Sequence, residues 1–191
     1  MKSLIISLKI FLFFTVLTGI VYPLIITGIA QVAFHSKANG SMIIKDNKAI
    51  GSELIGQQFD SCIYFMSRPS AVGYNPLPSG GSNYGLTNSK LKDQVTERKH
   101  KFYVFNQIDS TTTVIPSEML FASASGLDPH ISQKAALLQV NRIAKARKYT
   151  AVQKEKLKQC IMNQTEAPQL LCLGEERVNV LLLNIEVDRI K

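Results

Sequence analysis

The sequence predicts an α/β mixed (α+β) soluble domain attached to one N-terminal transmembrane helix, and three observations carry that prediction. Ile10 to Phe34 forms a run of 25 positions without a charged residue. Two later segments repeat apolar residues at helical spacing, while short aliphatic runs bounded by Asn, Asp and Gly read as strands. The 191 residues, 46% hydrophobic and 19% charged, fit one folded domain with an appendage rather than two domains or a disordered chain. Three cysteines are too few for a disulfide scaffold.

The anchor comes first. A 25-residue helix spans roughly 37 Å, more than the roughly 30 Å of a hydrocarbon core. A cleaved signal peptide is the alternative, since Lys2 and Lys9 precede the run and Gly28-Ile29-Ala30 offers small residues. Signal cores span about 7–15 residues, and this run continues well past that cut, so an uncleaved anchor fits better. Pro23 removes a backbone donor near mid-span and leaves a carbonyl to be satisfied. Thr15, Thr18, Gly19, Thr27 and Gly28 are small or hydroxylated and allow partner helices to approach, the alternative being a lone anchor.

Basic residues do not set the orientation, because Lys2 and Lys9 are balanced by Lys37, Lys45 and Lys48. A short head before a first helix usually stays in the cytoplasm, and large domains translocate largely regardless of charge. The expected division is therefore a cytoplasmic head over 1–9, an anchor over 10–34 and an extracytoplasmic domain over 35–191. Outside the cytoplasm, Cys62, Cys160 and Cys172 could form at most one internal disulfide.

Within the domain, Met42-Ile43-Ile44 and Ala49-Ile50 flank Lys45-Asp46-Asn47-Lys48 as the arms of a hairpin. Ser89 to Phe105 carries Leu91, Val95 and Phe102 at helical spacing, with Thr87 or Asn88 as its cap. A second helix starts at Asp128-Pro129 or at Ser132 and runs to Lys148, with Ala136, Val140, Ile143 and Ala144 facing inward. Thr150 and Gln153 have capping-box spacing ahead of Val152, Leu157, Cys160 and Ile161. Val178 to Ile185 is aliphatic enough to be a buried strand.

Ala71 to Ser89 contains no charge at all and is rich in Gly, Pro, Ser, Asn and Tyr. Loops beyond roughly 12–15 residues are functional or disordered, and this composition offers adaptable hydrogen bonding, so partner contact is expected; a flexible linker is the alternative. Ser79-Gly80-Gly81-Ser82 lacks the Lys-Ser or Lys-Thr ending of a P-loop. Ser123, Ser125, Asp128 and His130 supply hydrolase residue types, yet they crowd into one turn without a Gly-x-Ser-x-Gly elbow, and capping explains them more simply. The histidines and cysteines show no metal-ligand spacing, so no metal site is expected. The basic clusters Arg98-Lys99-His100-Lys101 and Arg142-Lys145-Arg147-Lys148 read as solvated helix faces, and no nucleic-acid motif accompanies them.

The run Ala122-Ser123-Ala124-Ser125-Gly126-Leu127-Asp128-Pro129-His130-Ile131-Ser132, with Ala135-Ala136, Gln139-Val140 and Arg142, closely resembles the signature of the C subunit of the Kdp potassium-transporting ATPase. The likeness extends to Thr18-Gly19, Tyr22-Pro23-Leu24, Ala38-Asn39-Gly40-Ser41, Leu54-Ile55-Gly56-Gln57, Arg68-Pro69-Ser70-Ala71, Ser82-Asn83 and Arg177-Val178-Asn179-Val180-Leu181, which covers nearly the whole chain. Glu118 replaces the usual Asp, and the three cysteines look peculiar to this sequence.

The resemblance implies an accessory, non-hydrolysing subunit in a bacterial inner-membrane complex. Its partners would be a channel-like potassium-selective subunit and a P-type ATP-hydrolysing subunit. Potassium is then the transported ion, ATP enters only through the pump subunit, and no cofactor is expected on this chain. In one mechanism the domain sits at the outer mouth of the channel-like subunit, stabilising the assembly and favouring potassium entry. In the other it is a catalytic chaperone that raises the ATP affinity of the pump subunit, acting through the complex if the domain is outside. Arg68, Tyr74, Asn75, Ser82, Asn83 and Asn88 are the expected partner contacts. Ser125, Gly126, Asp128, Pro129, His130 and Ser132 are expected to be structural, and Gly19, Tyr22, Pro23 and Gly28 to pack the membrane helix.

Overall fold

The computed structural model describes residues 2–170 and 172–190. Two compact units divide after Ile50. In the first, an apolar helix of 32 residues runs from Lys2 to Ala33 with none of its most apolar window buried. It comprises α1 (Lys2–Val16), a π-helical turn (Leu17–Val21) and α2 (Tyr22–Ala33). The helix starts earlier than the uncharged run because nothing in residues 2–9 breaks it, so Lys9 lies inside it.

The π turn sits directly before Pro23, with the Tyr22 N–H reaching back to the Leu17 carbonyl. One residue is thus inserted into the ladder where the proline ring would otherwise collide with the preceding turn. The Thr15 and Thr18 hydroxyls donate to the Phe11 and Phe14 carbonyls at 2.8 and 2.6 Å. Gly19 and Gly28 have open space where a side chain would be. A single helical turn, α3 (His35–Ala38), follows Phe34.

The predicted hairpin forms as β1 (Met42–Lys45) and β2 (Lys48–Ser52). Asp46 and Asn47 both take positive φ, 51° and 58°, the two-residue turn whose twist matches paired strands.

The second unit is built around α5 (Gln133–Ala146), whose residues Ala135, Ala136, Val140 and Ile143 are at most 2% exposed. Against it pack α4 (Ser89–Asn106) and α6 (Ala151–Gln164). Asn88 caps α4 by accepting from the Lys90 N–H, and Thr150 and Gln153 form the complete capping box of α6. Leu157 and Ile161 of α6 are buried, but Val152 is 68% exposed, because five residues before Leu157 places it about 140° around the helix from the buried face.

Three short strands, β3 (His130–Ile131), β4 (Thr165–Glu166) and β5 (Arg177–Asn179), form an antiparallel sheet in the order β3-β5-β4. The register pairs Ile131 with Val178 and Val178 with Thr165.

Of the two starts expected for α5 the structure takes Ser132, which accepts from the Ala135 N–H at 3.1 Å, so Asp128, Pro129 and His130 lie ahead of the helix and His130 belongs to β3. One expectation is corrected. The aliphatic run from Val178 is a strand only to Asn179, after which it turns into helix α7 (Val180–Val187). Asn179 causes the switch by accepting from the Leu181 and Leu182 N–H groups. Val180, Leu183, Asn184 and Val187 then bury one helical face.

Candidate functional site

The chain between β2 and α4 contains no helix or strand, yet residues 62–66 are tightly held. Side chains of the helices replace the missing ladder. The amide of Asn184 accepts from the Phe65 N–H at 2.8 Å and donates to its carbonyl at 3.0 Å. Gln139 accepts from the Met66 N–H at 2.8 Å. Arg142 is 3% exposed and donates to the Cys62 and Tyr64 carbonyls, to Asn106 Oδ1 and to Gln139 Oε1. Its guanidinium also lies 4.5 Å from the centroid of the Phe105 ring. Burial pulls Arg142 down to about 10, so it remains charged at neutral pH.

Arg142 is therefore a buried clamp rather than part of a solvated basic face. Arg147, from the same cluster, donates to the Ile63 carbonyl and pairs with Asp188 at 2.7 Å.

Downstream, the 123–130 turn is bonded to chain that precedes the uncharged loop: the Ser123 N–H donates to the Pro69 carbonyl and the Gly56 N–H to the Leu127 carbonyl. Gly126 has φ +72°, and a Cβ there would meet Val72 Cγ2 at 2.6 Å and the Gly80 oxygen at 2.8 Å. Glycine is required by both backbone and space. At Gly81 a Cβ would stand 3.2 Å from the Ala124 carbonyl.

Arg68 Nη1 bonds Asp128 Oδ2 at 2.6 Å, while Asp128 Oδ1 accepts from the His130 N–H at 2.9 Å. Burial raises the Asp128 carboxyl, but hydrogen bonds from His130 and Arg68 outweigh it and hold the group at about 2. Ser70 Oγ accepts from the Tyr74 N–H, and the Tyr74 hydroxyl donates to the Arg68 carbonyl. Burial is the main reason that this phenol is pushed up to about 12.

The expected contact residues divide accordingly. Arg68, Tyr74 and Asn88 make internal bonds to Asp128, Arg68 and Lys90. Asn75 and Asn83 are exposed and Ser82 half-buried. Sequence reasoning missed Leu77 and Leu86, which stand 82% and 93% exposed on this neutral loop. The signal was available as two leucines within an otherwise polar, uncharged stretch.

Ser125, Asp128 and His130 do not form a triad: Ser125 is exposed and its Oγ accepts from the Leu127 N–H, whereas Asp128 engages Arg68 and His130. Cys62, Cys160 and Cys172 are free thiols.

An apolar helix long enough to cross a bilayer, followed by an α+β domain, fits the class of single-pass membrane proteins. The family model for KdpC, the K+-transporting ATPase c chain, matches residues 4–189, and the chain belongs to that family. Relatives named potassium-transporting ATPase KdpC subunit include one from Polynucleobacter asymbioticus, 46% identical over 98% of this chain and 99% of that protein. One from Geotalea uraniireducens is also 46% identical, over 100% of this chain and 99% of the relative. A third, from Mycobacterium bovis, is 44% identical over 99% of each.

Proposed function

We propose that the chain is an accessory, non-hydrolysing subunit of a high-affinity ATP-driven potassium uptake complex in the bacterial inner membrane. Its N-terminus is cytoplasmic and its domain extracytoplasmic. It stabilises the assembly with the channel-like potassium-selective subunit and the P-type ATP-hydrolysing subunit, and assists potassium at the outer mouth of the former.

The observation that carries this reading is the neutral loop. Val72, Gly80 and Gly81 pack closely against Gly126 and Ala124 of the 123–130 turn, while Leu77 and Leu86 project at 82% and 93% exposure. Apolar tips on a neutral loop suit docking, because they leave water on contact without a charge to desolvate. An uncharged, oxygen-rich surface also suits a cation path better than a basic face would.

The test combines position and contact. A membrane-impermeant thiol reagent should label a cysteine placed at Ser79 in intact cells, in a background without the three native cysteines. Labelling confined to inverted vesicles would sink the reading and place the domain beside cytoplasmic nucleotide. Leu77→Ser with Leu86→Ser should lower co-purification of the partner subunits or weaken apparent potassium affinity several-fold, with the domain's melting temperature unchanged. Wild-type assembly and potassium affinity in that variant would remove the loop from the interface.

A further inference from the structure

Two adjoining cavities lie beside α4, the first of them bordered by Gly73 and Tyr74 at the start of the neutral loop and away from its exposed leucines. The first, about 280 Å³, sets apolar Met66, Phe102 and Met119 among three cations, Arg68, Arg98 and Lys101. The second, about 490 Å³, shares Met66 and Lys101 and continues to Val104 and Phe105. Val104 is 63% exposed and borders the second cavity beside Met66 and Phe105.

The cations are incompletely matched. Arg98 is half-buried and donates to the Leu120 carbonyl, with no carboxylate within ion-pair distance among the described residues. Arg68 uses Nη1 on Asp128, but its Nε is buried without a hydrogen-bond partner. Lys101 pairs with Glu97 at 2.6 Å, both well exposed and so weakly held. Asp60 is the carboxylate that lines both chambers. Apolar walls beside cations in excess of carboxylates, at a volume typical of small-ligand sites, complement a ligand with an acidic head and an aliphatic tail.

We propose that this paired cleft binds one acyl chain of an anionic amphiphile, with the carboxylate or phosphate head on Arg98 and Lys101 and the chain along Met66, Phe102, Val104 and Phe105. The head could come from a free fatty acid or a membrane phospholipid.

The experiment uses the full chain in an uncharged detergent with a diazirine-tagged palmitate, and separately in vesicles containing diazirine-tagged phosphatidylglycerol. Photoadducts are then mapped by peptide. Adducts are expected within residues 59–74 and 98–105 from at least one source, and the source that labels identifies the ligand. Arg98→Glu should reduce adduct yield about tenfold, while Lys92→Glu on the exposed start of the same helix should not. Val104→Trp, which obstructs the outer chamber without changing charge, should also reduce it and serves if Arg98→Glu fails to fold. Equal labelling by an uncharged diazirine alcohol, or adducts confined to residues 2–33, would overturn the proposal. So would loss of cleft labelling when the partner subunits assemble, since a protein segment would then own the site.

Discussion

At Asp128, burial and hydrogen bonding act in opposite directions, and hydrogen bonding prevails, holding the carboxyl near 2 against an ordinary 3.8. A folded pKa below the unfolded one means stability that is present above pH ~4 and lost as pH falls towards 2. The shift corresponds to about 2 kcal/mol. Asp128→Asn should therefore destabilise the domain by about that amount at pH 7, and the difference should shrink towards zero near pH 2, read by denaturant unfolding of the full chain in uncharged detergent. A pH-independent difference would mean that shape, not charge, matters there. The residue types at 125–132 were legible as a structural turn, but their partner Arg68 was not. An ion pair 60 positions apart in sequence leaves no local pattern. Gly126 was legible as a glycine, whereas the need for it comes from Val72 and Gly80, which only the folded loop brings there.

Among the elements, those with local signals were readable: Asn88 before α4, Ser132 before α5 and the Thr150–Gln153 box before α6 each place a side-chain acceptor on an orphan N–H. The end of the chain misled because Val178, Val180, Leu181, Leu182 and Leu183 satisfy either period, and only Asn179 marks the change from strand to helix. Asn179 also donates to the Glu53 carbonyl at 2.7 Å, so Asn179→Ala removes a cap and a tether together. We expect a loss of about 1–2 kcal/mol, seen as a lower denaturant midpoint at constant slope.

Arg142 was misread for a different reason. Lys and Arg are usually solvated, and its acceptors are backbone oxygens of Cys62 and Tyr64, which sequence patterns do not reveal. Arg142→Ala strands those carbonyls and should cost about 3 kcal/mol, with faster proteolysis near residues 61–68. Unchanged protection of that segment would show that Gln139 and Asn184 hold it without Arg142.

For the whole molecule, the division after Ile50 has a thermodynamic consequence. The core cluster from Phe65 to Val187 lies entirely in the second unit, and the helix of the first has no buried residue in its most apolar stretch. The two units thus differ in what they bury: the second shields its apolar side chains from water in its own core, whereas the first is a helix of the length and composition that suits lipid. A fragment from Gly51 to the C-terminus should fold in the absence of detergent, with an unfolding midpoint matching that of the full chain. Binding should behave otherwise. If the anchor and the loop both contact partner subunits, joining them makes the second contact intramolecular, and linkage of this kind raises avidity about 10²–10⁴-fold. The fragment should therefore associate with the remaining subunits more weakly than the anchored chain by a factor in that range, measured by competition for assembly. Equal affinity would show that the domain alone carries the interface and that the helix serves only to hold it at the membrane. An unfolded fragment would instead show that residues before Gly51 complete the fold.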